Sequence, residues 1–409
     1  MNIKFVSASL LAVVLIVLLS AVSTSAETSY SEKTVNLESG SDIGTTIQAT
    51  SWNTNLTIIL ESNGYYTFSS DGNRNYDGHN LTIIGNNATV MLPDSGTSKV
   101  ELNYEAAVAP GTSFDNLIGS VCKITDVNFS TDSTTASCYF SLGYFQDVLI
   151  SGCTFEKISV SLQSYSPNFE GLTESTYEVT DCIWTAPSGS YPNQFALTMQ
   201  CVHSSVSNCS IDGYDRGVNA SCSQYEGRNS VSIQGTDFSN INNGPGLQVS
   251  YSLLSADISG CSFMNCEVGI QIHETTVSTG SVSSSENSFI GCDSDFRYSS
   301  NDETGDISKA SLRSSEDLFT TANGQQKDPV ISLGENATDE PTDVVIEDPV
   351  QVEPDPPIIW DDDDDYVPIP PVVVNDSSDD DTITVVACAA AAVVAALMAV
   401  FLIIERRKG

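Results

Sequence analysis

Along residues 80–300, apolar and polar side chains alternate in runs of only three to five residues, and the runs are broken by Gly, Asn, Asp, Ser and Glu. A period of two marks half-buried strands, and helical periodicity is almost missing. The large apolar residue that follows each bend recurs as Phe129, Phe155, Trp184, Ile211, Phe238, Phe263 and Phe289, at intervals of 26, 29, 27, 27, 25 and 26 residues. Other columns keep the same register. Five positions earlier stand Ile124, Ile150, Val179, Val206, Ile233, Ile258 and then Ser284. Three positions earlier stand Asp126, Gly152, Asp181, Asn208, Gly235, Gly260 and Glu286, mostly residues that tolerate turn geometry. Two positions earlier stand Val127, Cys153, Cys182, Cys209, Thr236, Cys261 and Asn287.

Each unit therefore reads as a short strand, a tight bend, a second short strand, a looser loop and a third strand, the last clearest in "RGVNA", "GLQVS" and "VGIQIH". Strands this short cannot bury a face alone, but stacked in register each pairs with the turns above and below, about 4.8 Å apart. The pattern predicts an all-β chain: a right-handed, single-stranded parallel β-helix of about eight or nine coils of ~26 residues over residues 80–300. Phe129, Phe155, Trp184, Ile211, Phe238, Phe263 and Phe289, with Cys153, Cys182, Cys209 and Cys261, form its expected core ladder. A propeller blade needs about 40 residues or more and four longer strands, which these units lack.

Residues 27–79 read as an N-terminal cap and entry coil, with a short helix near Ile43–Ala49 and a strand at Leu56–Leu60. Residues 301–327 read as a C-terminal cap, in which "SSEDLFTTA" folds over the last coil and covers its open edge. The long gap from Val90 to Phe129 implies an inserted loop. The segments Met91–Ser120 and Gln163–Glu174 break the coil rhythm and are the first candidates for a recognition surface.

The two ends change the picture from a free domain to a displayed one. Lys4, an apolar run from Phe5 to Val22 and the small residues ending at Ala26 have the layout of a secretory signal over residues 1–26. Near the other end, residues 382–404 include the uncharged run Val385–Ile404, matching the ~20 residues that cross a hydrocarbon core. The basic tail 405–409 carries Arg406, Arg407 and Lys408, which the positive-inside tendency keeps in the cytoplasm. The expected topology is a single-pass protein of the plasma membrane, with nearly all of the chain at the cell surface.

Charge is uneven. The formal net charge is −38, from 53 acidic and 15 basic residues. Residues 328–381 hold eighteen Asp/Glu, no Lys or Arg, and nine of the fifteen prolines. Such a segment cannot build a core and reads as an extended, disordered stalk. The run Asp361–Asp365 lacks the spaced ligands and Gly turn of a calcium loop, so only loosely condensed Ca2+ is expected there. This acidity excludes nucleic acid as a partner, because phosphate would be repelled.

Cofactor and metal chemistry find little support. The chain has no CxxC pair and only three His, so no metal site and no cofactor are expected. Cys153, Cys182 and Cys209 would stack with parallel side chains, their Cβ atoms slightly beyond the ~3.5–4.5 Å that a disulfide wants. A ladder of packed thiols follows, with Cys266 and Cys292 forming a similar pair nearer a turn, where bridging is easier. Asp215, Asn242, Glu267 and Asp293, each four residues after an anchor, make a mostly acidic column that is the candidate glycan- or cation-binding face. Sequons at Asn55, Asn80, Asn87, Asn128, Asn208, Asn219, Asn336 and Asn375 are glycosylation candidates.

Through "LTIIGNNATV", "ISGCTF", "ISGCSF", "PPIIWDDDDDYVPIPP" and "VVACAAAAVVAALMAVFLIIERRKG" the chain resembles the adhesin-like surface proteins of methanogenic archaea, whose β-helix coils are of the pectin-lyase-like kind. The resemblance implies a membrane-anchored adhesin that binds glycans or neighbouring cell surfaces without catalysis. A polysaccharide lyase or glycoside hydrolase is the alternative, with Asp212, Asp215 and Arg216 as its catalytic candidates. The polygalacturonase patterns Asn-Thr-Asp, Gly-His-Gly and Arg-Ile-Lys are missing, and basic residues for an acidic-sugar groove are scarce. A structural component of the cell envelope is the third reading. Fold alone does not choose among them.

Overall fold

The computed structural model describes residues 30–50, 54–68, 74–76, 79–92, 99–104, 119–132, 139–164, 174–187, 194–221, 229–250, 253–274, 280–300, 311–334 and 344–347. All of them fall in the first of two units, which ends at Gln351. The expected leader, the membrane span, the basic tail and the run Asp361–Asp365 lie outside the described residues, as do most of Met91–Ser120 and of Gln163–Glu174. Among the described residues no helix is long and apolar enough to cross a membrane.

The fold is a parallel β-solenoid. One turn illustrates all: Asp147–Ser151, Thr154–Glu156 and Ser159–Gln163 are its first, second and third strands. First and second strands stack into a 20-stranded sheet, and third strands into a 10-stranded one, named the third sheet after its strands. The anchor ladder is observed rung by rung. Phe129 pairs with Phe155, Phe155 with Trp184, Trp184 with Ile211, Ile211 with Phe238, Phe238 with Phe263 and Phe263 with Phe289. All are buried, with ring centroids 4.8 Å apart for Phe155–Trp184 and 4.9 Å for Phe238–Phe263. That spacing is the strand repeat itself, so backbone pairing and ring stacking are satisfied by one geometry.

The bends follow from the residues that tolerate them. Asp126, Gly152, Asp181, Asn208, Gly235, Gly260 and Glu286 all have positive φ, between 52° and 64°. One such residue per turn lets the chain corner without an extra loop; for Glu286 the left-handed conformation costs roughly 1 kcal/mol. The next residue turns inward. The thiols of Cys153, Cys182, Cys209 and Cys261 each donate to carbonyls of their own and the preceding turn, and all four are free and buried. The ladder of packed thiols is therefore real.

The solenoid is longer than the anchors suggested. At the entry, Ser31–Leu37 pairs with Thr54–Leu60, and the helix Ile43–Gln48, N-capped by Asp42, buries Ile43 and Ile47 as a lid on the core. The gap expected to be a loop contains a strand of the third sheet, Lys99–Tyr104. At the exit, Ser311–Ser315 and Leu318–Thr320 continue the ladder in register, with Phe319 stacked on Phe289 at 5.1 Å. This segment extends the solenoid by a turn and does not fold across it. Ile331–Leu333 and Val344–Ile346 pair with the strands beginning at Ser294 and Ser311. These two strands thus belong to the solenoid although they lie beyond residue 328, where the stalk was expected to begin. Three residues of alternating character suffice when an existing edge supplies the template.

The last turns exchange apolar core for a closed polar network. Asp317 accepts hydrogen bonds from Ser284 and Ser314, both 2.6 Å, and from the Asn287 N–H at 2.8 Å. The Asn287 amide donates to the Ile258 carbonyl and accepts from the Cys261 N–H. Nearby, the fully buried Asp295 meets Lys327 at 3.0 Å and the Val330 N–H at 2.7 Å, pinning the chain after Phe319 onto the third sheet. Burial pushes both carboxyls above the ordinary value of 3.8, against the opposing pull of these donors.

Each carboxyl therefore holds its proton to higher pH folded than unfolded. Its contribution is present below the unfolded value and is lost as pH rises through the folded one. The melting temperature is expected to fall between about pH 4 and the raised folded values. Calorimetry across that range tests this, and Asp317→Asn should flatten the dependence.

Candidate glycan-binding groove

Along the outer side of the third sheet, side chains between the buried positions line up as Ser161, Thr198, Asn219, Gln248, Gln271 and Arg297. The amides are tied together: Gln248 Nε2 lies 3.4 Å from Asn219 Oδ1, Ser250 donates to the same oxygen at 3.1 Å, and Gln271 donates to Ser299 at 2.7 Å. Regular rungs fix amide and hydroxyl groups at one repeat along a flat surface.

At one end of this surface the strands begin later in their turns. The second strand of two turns ends at Thr131 and Thr185, and the third begins at Tyr139 and Phe195, whereas the intervening turn passes directly from Glu156 to Ser159. The strands that open with Tyr139 and Phe195 pair on either side of Ser159–Gln163, and both aromatic side chains line the same place. A groove of about 400 Å3 results, lined by Tyr139, Ser159, Val160, Ser161, Gln194, Phe195 and Thr198. Tyr139 and Phe195 are half-buried. Ser159 donates to Gln194 Oε1 at 3.3 Å, and the Arg216 guanidinium carbon sits 5.3 Å over the Phe195 ring. Burial raises the Tyr139 phenol, so it stays an O–H donor at neutral pH. Aromatic walls over a floor of hydroxyls and an amide can take the apolar face of a small polar ring while binding its edge groups.

The residues expected to be functional are distributed differently. Asp212 accepts from Ser239 at 2.6 Å and Asn240 at 2.7 Å, a bend contact between successive turns. Asp215 is buried, 2% exposed, and Arg216 packs on Phe195. None of the three lines the groove. Asp215, Asn242, Glu267 and Asp293 do fall on successive turns, since Asn243 N–H donates to Asp215, Glu267 N–H to Ile241 and Asp293 N–H to Cys266. They share no common environment. Asn242 and Asp293 are exposed, Asp215 is buried, and Glu267 is paired with Arg297 at 3.0 Å. Among the described residues no group of three or more His, Cys, Asp or Glu side chains is placed to hold a metal ion.

Of the sequons, Asn87 and Asn208 sit exposed on left-handed bends. Asn55, Asn80, Asn128 and Asn219 are half-buried, with their amides bonded to Glu32, the Val121 N–H, the Asn87 carbonyl and Ser250. Asn336 and Asn375 lie outside the described residues.

Two imidazole–hydroxyl contacts had no signal in the sequence. His203 lies 2.7 Å from Ser230 on the first strands, and His273 lies 2.7 Å from Ser299 on the third. A base beside a hydroxyl is the geometry of an activated nucleophile. Here the Ser230 N–H is spent on the Val202 carbonyl, as ladder pairing requires. The aromatic groove also had no signal in the sequence, because Tyr139 and Phe195 fall in anchor intervals of ordinary length, 26 and 27 residues. No family model, curated protein or solved structure matches the chain.

Proposed function

We propose that this chain is a membrane-anchored cell-surface protein, adhesin-like in layout, that binds glycans through the third-sheet groove and does so without catalysis. The observation that carries this reading is the pair of aromatic side chains, Tyr139 and Phe195, lining one groove with Ser159, Ser161, Gln194 and Thr198. Stacking supplies affinity without charge, which suits a chain of net charge −38 that would repel anionic polymers. The amide ladder continues the groove along the turns, so a polymer occupying several rungs gains by summing weak contacts.

The test is a glycan array probed with the full-length protein in detergent. At least one glycan should be retained, and Phe195→Ala should weaken its binding by tenfold or more, the loss of one central aromatic contact. Retention of no glycan, or undiminished binding by the variant, overturns the proposal. Reading the same incubations for new reducing ends distinguishes binding from cleavage.

A further inference from the structure

Cys266 and Cys292 occupy the same bend on successive turns, because the Asp293 N–H donates to the Cys266 carbonyl at 3.2 Å. Both are free and nearly covered, at 2% and 6% exposure. Their thiols hydrogen-bond one another. Each also meets the backbone: Cys292 the Phe263 carbonyl at 3.3 Å, Cys266 the Phe238 and Met264 carbonyls at 3.7 and 3.8 Å. Beside this pair stands the Lys327–Asp295 ion pair. Lys327 reaches over the bend, its ammonium 3.2 Å from the Cys292 carbonyl and 3.0 Å from Asp295.

We propose that Cys266 and Cys292 are a covalent modification site, at which a small-molecule disulfide oxidises the two thiols to a bond joining adjacent turns. The bond Cys266 donates to Cys292 lowers the Cys292 thiol against the burial that would raise it, while Cys266 is raised by donating that bond and by burial. Asp295 opposes this at Cys292 without reversing it. One nucleophile and one resolving thiol are therefore already differentiated.

The Cys292 thiolate attacks one sulfur of the reagent, forming a mixed disulfide and releasing a thiolate. Cys266 loses its proton to solvent and attacks the Cys292 sulfur, expelling the second thiolate. Two protein thiols and one small disulfide become one protein disulfide and two small thiols. The proposal is independent of the glycan reading, since neither cysteine lines the groove.

Full-length protein in detergent, incubated with oxidised glutathione at several temperatures below its melting midpoint, tests it. Remaining thiols are alkylated after denaturation and the chain is digested for mass spectrometry. The expected product joins the Cys266 and Cys292 peptides, two hydrogens lighter than their sum, while Cys153, Cys182 and Cys209 are alkylated. Cys266→Ser should arrest Cys292 as the glutathione adduct. Both cysteines recovered alkylated in the wild-type chain, or bridging spread without preference over the other stack, overturns the proposal. Melting of the reduced wild type and of the variant, run in parallel, confirms that the folded protein was assayed.

Discussion

Phe263→Ala is expected to destabilise the solenoid by about 3–5 kcal/mol, the range for removing a fully buried aromatic ring from a packed core. The ring lies between Phe238 at 4.9 Å and Phe289 at 5.0 Å, so two stacked contacts are lost together. It also fills the approach to the third sheet: a methyl group on Gly246 would come within 2.9 Å of it. The walls cannot collapse into the gap, because parallel pairing on both sides fixes their spacing. A conservative Phe263→Leu should recover much of the loss. Denaturant unfolding followed by circular dichroism measures both, and a loss under 1 kcal/mol for the alanine variant would show that the ladder is not the principal source of cohesion. Because each turn contacts only its neighbours, the variant should also broaden the transition, as the solenoid divides near its weakened rung.

Asp317→Ala should cost a comparable amount by a different route. It removes one carboxylate and leaves the Ser284 and Ser314 hydroxyls and the Asn287 N–H without their acceptor, each buried donor costing about 1–3 kcal/mol. Some of this is recovered where Ser284 still accepts from the Asn287 amide at 3.0 Å. A net loss of roughly 3–5 kcal/mol is the expected result. Asp317→Asn keeps an acceptor for the backbone and should lose less. Asp317→Asn keeps the volume of the side chain as well as an acceptor, so equal losses would show that the network is incidental to this turn. Alanine at Asp317 should loosen the exit turns first, visible as faster amide exchange in Ser311–Thr320 than in Asp147–Gln163.

The fold was legible because its determinants repeat. A bend residue, an inward small residue and a large anchor recur at nearly constant interval, and each repetition strengthens the assignment of the others. The left-handed backbone at Asp126, Gly152, Asp181 and Asn208 was implied by residue type alone, since few residues accept it. The boundaries were less legible. Ile331–Leu333 and Val344–Ile346 stand among prolines and acids, and their composition argued for extension. They become strands because the preceding turns offer unpaired backbone groups in register, a long-range fact with no local trace.

The candidate site was legible only in part. Asp212, Asp215 and Arg216 were adjacent in sequence and looked like one cluster; the bend sends Asp215 inward, while Arg216 turns onto Phe195. Glu267 and Arg297, thirty residues apart, neutralise one another across rungs. Tyr139 and Phe195 carried no signal, because each opens a third strand in a turn of ordinary length.

Sequence by itself determined the period, the parallel stacking, the contents of the core and the free thiol ladder, because those depend on side-chain size and backbone tolerance at every turn. Only the tertiary structure decided where the solenoid ends, which acids are buried or paired, and where two aromatic walls meet over polar groups. Those outcomes rest on single residues brought together across turns of unequal length, and a repeat carries no record of its own exceptions.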